Sequence, residues 1–290
     1  QQHLDACRVW DSEGFRDYKI VLSASSQYSS VFFNFLVYYK AVCRDFSRFF
    51  FLCYDKGMVN TVERAGGSCK LLNARDKYAV WERRMELAQE LLDQGTDLLL
   101  TDADAIWLKN PFPYVSRHLA VDEAHVVSSR ATFPTKLQET WGATFCMGWI
   151  YIKSTAFTRE LMPRVIKEMH SRPQKPDDQL GFNNLLSKSD TVWESRPTLR
   201  RTPHHNVATV TLSDSSVGPS RVVILPHSLF RRECKKTLGV EMKAAVVLHC
   251  RIPGKMGSKK ESGLKALGLW QPNRRLVLNG TSADGLRHPH

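Results

Sequence analysis

Apolar positions along this chain fall in short unbroken blocks separated by polar turns. Residues 19–24 and 48–53 read as strands, 69–72 as a short third and 97–101 as a fourth. None of them alternates polar with apolar residues, which is the pattern of strands covered on both faces. Helical stretches lie between them at 31–43 and 76–93, the second closed by Gly95. This β-α-β-α order predicts an α/β fold with a mostly parallel sheet flanked by helices. Beyond residue 120 the pattern loosens. Residues 124–128, 148–152, 207–212, 222–225 and 244–248 read as strands, and 155–170 and 179–186 as helices, the first containing Pro163. Segments 213–220 and 252–262 are rich in Gly, Ser and Pro and read as loops. With no internal repeat and no marked boundary, residues 1–272 are expected to form one domain and 273–290 a C-terminal tail.

Composition narrows the class. The 290 residues are 42% hydrophobic and 24% charged, a globular mix that excludes a disordered or fibrous chain. No apolar run approaches the roughly 20 residues of a membrane helix, so any membrane anchor is expected outside this chain. The net charge of +12 is unevenly spread. Residues 1–145 hold 17 basic and 18 acidic residues, whereas 146–290 hold 24 and 11. A neutral half joined to a basic one argues against nonspecific nucleic-acid binding and for an anionic ligand facing the basic half. The seven cysteines show no CxxC spacing and do not read as a zinc site. Cys43, Cys53 and Cys250 read as buried small hydrophobes, and the odd count leaves at least one thiol unpaired. Asn279-Gly280-Thr281 is a glycosylation sequon, usable only in a secretory compartment.

The segment Leu98-Leu99-Leu100-Thr101-Asp102-Ala103-Asp104 carries the clearest chemistry. A buried apolar strand ends in two carboxylates separated by one small residue. Ligands of open α/β sheets bind beyond such strand ends. Two carboxylates held there repel unless a cation lies between them, and hard divalent ions take oxygen ligands. The preceding helix supports an anion site. Stepping about 100° per residue puts Met85, Ala88, Leu91 and Leu92 on one arc, with Arg84 among them. An inward guanidinium is costly unless it meets an anion or pairs with a structural carboxylate. Near the other end, an apolar strand runs into His249, an imidazole placed as a metal ligand. Gly254, Lys255, Gly257 and Lys259 follow, a backbone able to approach a phosphate and lysines able to neutralise it. Asp177-Asp178-Gln179 opens a helix, where acids serve as caps. Ser23 and Ala24 end the first strand with side chains small enough for a nucleotide to lie against the backbone.

The run Thr101-Asp102-Ala103-Asp104-Ala105-Ile106-Trp107-Leu108-Lys109-Asn110-Pro111-Phe112 resembles the GT-A glycosyltransferases, the nucleotide-diphospho-sugar transferases. It is most similar to the group containing glycosyltransferase family 77, whose motif is roughly D-x-D-x-x-W-x-x-(D/N)-P. The resemblance spans about Lys19 to Trp270, including His249, the Gly-Lys segment after it and Gly268-Leu269-Trp270. It implies a divalent metal, Mn²⁺ or Mg²⁺, on Asp104 and His249, with Asp102 on the metal or the ribose. It implies a UDP-sugar donor, its phosphates or sugar reached by Arg84 and by Lys255 or Lys259, and Asp178 or Gln179 near the reacting sugar. It further implies transfer to a glycan or glycoprotein hydroxyl with retention of configuration, in the Golgi lumen. Unassigned basic pairs leave room for an acidic acceptor, and Trp141, Trp149 and Trp193 are candidates for its groove. Cys146 stands where the family usually has Asn, which withholds a donor sugar. Two other readings fit parts of the sequence: a phosphohydrolase using Asp102 as nucleophile and Asp104 as acid/base, and a nonenzymatic polyanion binder. The phosphohydrolase reading gives Trp107 and Asn110-Pro111 no role.

Overall fold

The computed structural model describes residues 7–43, 45–72, 77–171, 176–197, 204–234, 239–252 and 257–271. A hairpin of β1 (Val9–Asp11) and β2 (Gly14–Arg16) leads into β3 (Tyr18–Ala24), α1 (Ser29–Val42), β4 (Phe49–Cys53), α2 (Lys56–Arg64) and β5 (Cys69–Leu71). Then come α3 (Lys77–Asp93), β6 (Asp97–Thr101), β7 (Ala105–Trp107), α4 (Phe112–Val121), β8 (Ala124–Ala131), α5 (Thr135–Trp141) and β9 (Thr144–Ile152). The rest is α6 (Ala156–His170), α7 (Asp178–Lys188), β10 (Asp190–Trp193), β11 (Asn206–Thr211), β12 (Ser220–Ile224), β13 (Phe230–Arg231), α8 (Gly239–Ala244), β14 (Val247–His249) and α9 (Gly257–Ala266).

Among the described residues, nine strands form one sheet in the order β10-β11-β12-β8-β9-β6-β3-β4-β5. Strands β3 to β6, the ones the periodicity marks most clearly, are parallel to one another. Strand β9 inserts antiparallel between β6 and β8, and β10 and β11 are also antiparallel additions. Only β8 and β12 restore a parallel pair in the second half, so the sheet is evenly mixed. Both faces are buried. Ile20, Leu22, Leu99, Trp149 and Tyr151 join α1 and α4 in one core. Val21, Leu98, Leu100, Ile150 and Ile152 join α3, α6 and α7 in the other. This two-sided burial is why the strands read as unbroken apolar runs.

Three local expectations change. The segment expected as a loop at 252–262 contains most of helix α9, whose buried residues are only Gly257 and Leu264, too few to leave a periodic stripe. The strand expected at 244–248 is shifted, with Ala244 closing α8 and His249 ending β14. Cysteines are mostly bridged rather than free hydrophobes: Cys7–Cys43, Cys53–Cys69 and Cys234–Cys250 are disulfides, leaving Cys146 as the buried free thiol. The tail at 273–290, with its sequon, lies outside the described residues. No helix among the described residues is long and apolar enough to cross a membrane.

Candidate active site

The two carboxylates sit where β6 stops. Asp102 extends the β6–β9 ladder by one bond, its N–H donating to the Gly148 carbonyl at 2.9 Å. The chain then turns tightly, the Ala105 N–H donating to the Asp102 carbonyl at 3.0 Å. This turn swings the chain out of the main sheet into β7, which pairs antiparallel with β14 in a small sheet of β13, β14 and β7. The register puts His249 opposite Ala105. A histidine remote in sequence thus lands beside the carboxylates: His249 Nε2 lies 3.4 Å from Asp104 Oδ1 and 3.5 Å from Asp102 Oδ2. Ligand atoms of the three residues lie within 4.8 Å of one another. Gly148 makes room for them, since a Cβ there would fall 2.1 Å from His249 Cε1 and 2.4 Å from Asp102 Oδ2.

A set of two carboxylates and one imidazole fits Mn²⁺ or Mg²⁺, and the cluster already attracts positive charge. Lys260 Nζ on α9 lies 2.6 Å from Asp104 Oδ2. Burial alone would raise the Asp104 carboxyl, but His249 and Lys260 hold it well below the usual carboxylate range. On the far side of the imidazole, Nδ1 lies 3.4 Å from Cys146 Sγ and 2.6 Å from an Arg232 nitrogen. Burial favours the neutral Cys146 thiol, yet Arg232 and His249 outweigh it and bring its pKa down to about 6.

These groups line one side of a cleft of about 400 Å³ at the carboxyl ends of β3 and β6. Ser23 and Ala24 line it as the sequence suggests, together with Tyr28 and Tyr54. Gln179 faces the same space and is held by its own hydrogen bonds, Nε2 donating to the Phe133 carbonyl at 2.7 Å and Oε1 accepting from the Met147 N–H at 3.3 Å.

Other candidates are placed differently. Arg84 points inward as its helical position predicts, but it does not open onto the cleft. Its side chain is 3% exposed, one nitrogen donating to Asp102 Oδ1 at 3.0 Å and another to Asp178. It therefore orients Asp102 and holds Asp178 as a buried partner, rather than facing a donor phosphate. Lys259 is exposed on α9 and its neighbour Lys260 is the one that reaches Asp104. Gly254 and Lys255 lie outside the described residues. Trp149 is fully buried against Trp107 and Phe230 and cannot line a groove. Trp141 and Trp193 pack edge-to-face with ring centres 5.7 Å apart. The sequence reading missed Arg232, Lys260 and Gly148. Arg232 and Lys260 are single members of basic pairs whose orientation periodicity leaves open, and Gly148 lies inside an apolar strand where only its missing side chain marks it.

Arabinosyltransferase XEG113 of Arabidopsis thaliana is 32% identical over 117 residues, covering 38% of this chain and 18% of its own length. The UDP-D-xylose:L-fucose alpha-1,3-D-xylosyltransferase MGP4 of Arabidopsis thaliana is 28% identical over 123 residues, covering 37% of this chain and 32% of its own length. The chain thus spans less than a third of either relative. The apo structure of mouse xyloside xylosyltransferase 1 aligns with a TM-score of 0.44 at 10% identity, over 82% of this chain and 100% of that one. A sequence profile of the nucleotide-diphospho-sugar transferases matches residues 48–261, so the chain belongs to the nucleotide-diphospho-sugar transferase family.

Proposed function

We propose that this chain transfers a galactose-, arabinose- or xylose-type sugar from a UDP-sugar to a hydroxyl of a glycan or glycoprotein, with retention of configuration. The observation that carries this reading is the convergence of Asp102, Asp104 and His249 on the wall of a cleft at the strand ends. The names of the relatives, an arabinosyltransferase and xylosyltransferases, support the sugar class. Asp102, Asp104 and His249 would hold Mn²⁺ or Mg²⁺, which as a Lewis acid stabilises the leaving nucleoside diphosphate. The nucleoside lies against Ser23 and Ala24, where the small side chains leave the backbone accessible. Lys260 and Arg232 bring positive charge to the place where the diphosphate gathers negative charge, with Lys255 and Lys259 as further candidates. The Gln179 carboxamide, anchored to Phe133 and Met147, faces the anomeric carbon and steadies the positive charge that develops there. Asp178 acts through Arg84, which it holds against Asp102. With no free carboxylate nucleophile assigned, the acceptor hydroxyl attacks on the face the diphosphate leaves. Three disulfides suit an oxidising compartment, which supports the Golgi lumen. The basic second half suits an acidic acceptor.

The test is a panel of UDP-sugars with Mn²⁺, read as UDP release and as the anomeric configuration of the product by NMR. Metal-dependent release with a retained linkage is expected, and Asp104→Ala abolishes both release and Mn²⁺-dependent nucleotide binding. An inverted linkage refutes retention. Turnover of p-nitrophenyl phosphate without UDP release would make the chain a phosphohydrolase, and polyanion binding that survives Asp104→Ala without turnover would make it a binder.

A further inference from the structure

A second cluster of metal-type donors lies outside the cleft. His118 is in the last turn of α4, buried at 3% exposure, and Asp122 caps the same helix, its N–H donating to the His118 carbonyl at 3.2 Å. His205 immediately precedes β11, far away in sequence but close in space. His118 Nδ1 lies 2.5 Å from Asp122 Oδ2, and His205 Nε2 lies 3.6 Å from that same oxygen. The two imidazole rings stand 4.5 Å apart at 57°. One donor atom from each residue falls within 4.8 Å of the others. None of the three lines the cleft.

We propose that His118, Asp122 and His205 form a second metal site, taking a zinc-class divalent ion, that ties helix α4 to the start of β11.

The donor chemistry separates this site from the first. Two imidazoles and one carboxylate suit zinc, cobalt or nickel, whereas the carboxylate-rich cluster in the cleft suits manganese or magnesium. Around a tetrahedral zinc with bonds of about 2.0–2.1 Å, donors sit roughly 3.3–3.5 Å apart. The His205–Asp122 spacing is already close to that, and His118 must withdraw by only about an ångström from Asp122. Replacing the proton between them with an ion is therefore a small rearrangement. Side chains of Asp122 and His205 are 15% and 33% exposed, so solvent reaches the cluster and water can fill the fourth position. Helix α4 follows directly on the strand that leaves the carboxylate turn, and β11 belongs to the far end of the main sheet. A clip between them closes a long loop, which is where cross-links stabilise most.

The full chain is stripped with EDTA, then titrated with ZnCl₂, with bound metal counted by mass spectrometry and Tm followed in parallel. Asp104→Asn serves as background to remove zinc bound in the cleft. That variant is expected to bind one zinc per chain with a raised Tm, and Co²⁺ in its place to give the visible absorption bands of tetrahedral coordination. Adding His205→Ala, or the near-isosteric Asp122→Asn, weakens zinc binding at least tenfold and removes the Tm rise, while circular dichroism without metal is unchanged. The proposal is overturned if Asp104→Asn binds no zinc, or if adding either substitution leaves zinc binding as it was. Failure of sugar transfer by the wild type would not bear on this result.

Discussion

A methyl group at Gly148 would fall within 2.4 Å of both His249 and Asp102, so one added carbon presses on the cluster that forms the cleft wall. Gly148→Ala is expected to lose metal-dependent nucleotide affinity at least tenfold, with an overpacking cost of about 1–3 kcal/mol that leaves the fold intact. Isothermal titration with UDP and Mn²⁺, beside circular dichroism, checks both halves. Arg84 tests a different principle. Its guanidinium is enclosed between Asp102 and Asp178, so Arg84→Met strands a buried carboxylate and should cost about 3–5 kcal/mol in chemical denaturation. Combining it with Asp178→Asn should recover most of that loss, a coupling that independent sites do not show. Asp104 and His249 were legible from sequence because each ends an apolar strand, a position with few structural uses for a charge. Lys260 was not, since Lys259 beside it has the same chemistry and only the helical phase of α9 separates them.

Elements hold these residues in place through a few buried polar links. Asp11 on β1 forms an ion pair with Lys153 Nζ, 2.6 Å from Oδ2, pinning the hairpin to the end of β9. Burial raises the Asp11 carboxyl, but Lys153 and Arg16 outweigh it and hold it below its ordinary value. Its stabilising effect is therefore complete at neutral pH and fades as the pH falls below the ordinary carboxylate value toward the lower folded one. In urea denaturation at a series of pH values, wild type and Asp11→Asn should differ most at neutral pH and draw together as the pH falls below the ordinary carboxylate value. The Cys234–Cys250 bridge does similar work at the site, joining the segment after Arg232 to the residue after His249. Cys250→Ser should cost about 3 kcal/mol for a loop of this length and weaken nucleotide binding as well, since Arg232 and His249 lose their common anchor. Strand direction was the least legible feature at this scale. β6 and β9 are both apolar on each face, so nothing in their composition distinguishes parallel from antiparallel pairing.

At the scale of the molecule, the charge asymmetry acquires a partial explanation. The neutral half supplies the carboxylates and the basic half supplies Arg232 and Lys260 to the same cleft. Helix and strand order carried the layered architecture, because two-sided burial leaves a strong apolar signal. Cysteine pairing was hidden, because partners such as Cys7 and Cys43 lie beside each other only once the segment before β1 has reached the C-terminal end of α1. Thiol titration should find none accessible in the native protein and one per chain after unreduced denaturation, at Cys146.

Among the described residues, the nine strands of the main sheet precede residue 225, yet the candidate ligand set is completed by His249 at the end of β14. As the polypeptide is synthesised, the main sheet is therefore complete while the candidate site is still missing one member. On the proposed function, the site for the donor is completed late, after the main sheet is in place. A chain interrupted between β12 and β14 would hold the two carboxylates without the third candidate ligand, and would also lack Val247 and Leu248, which complete the core around Trp107.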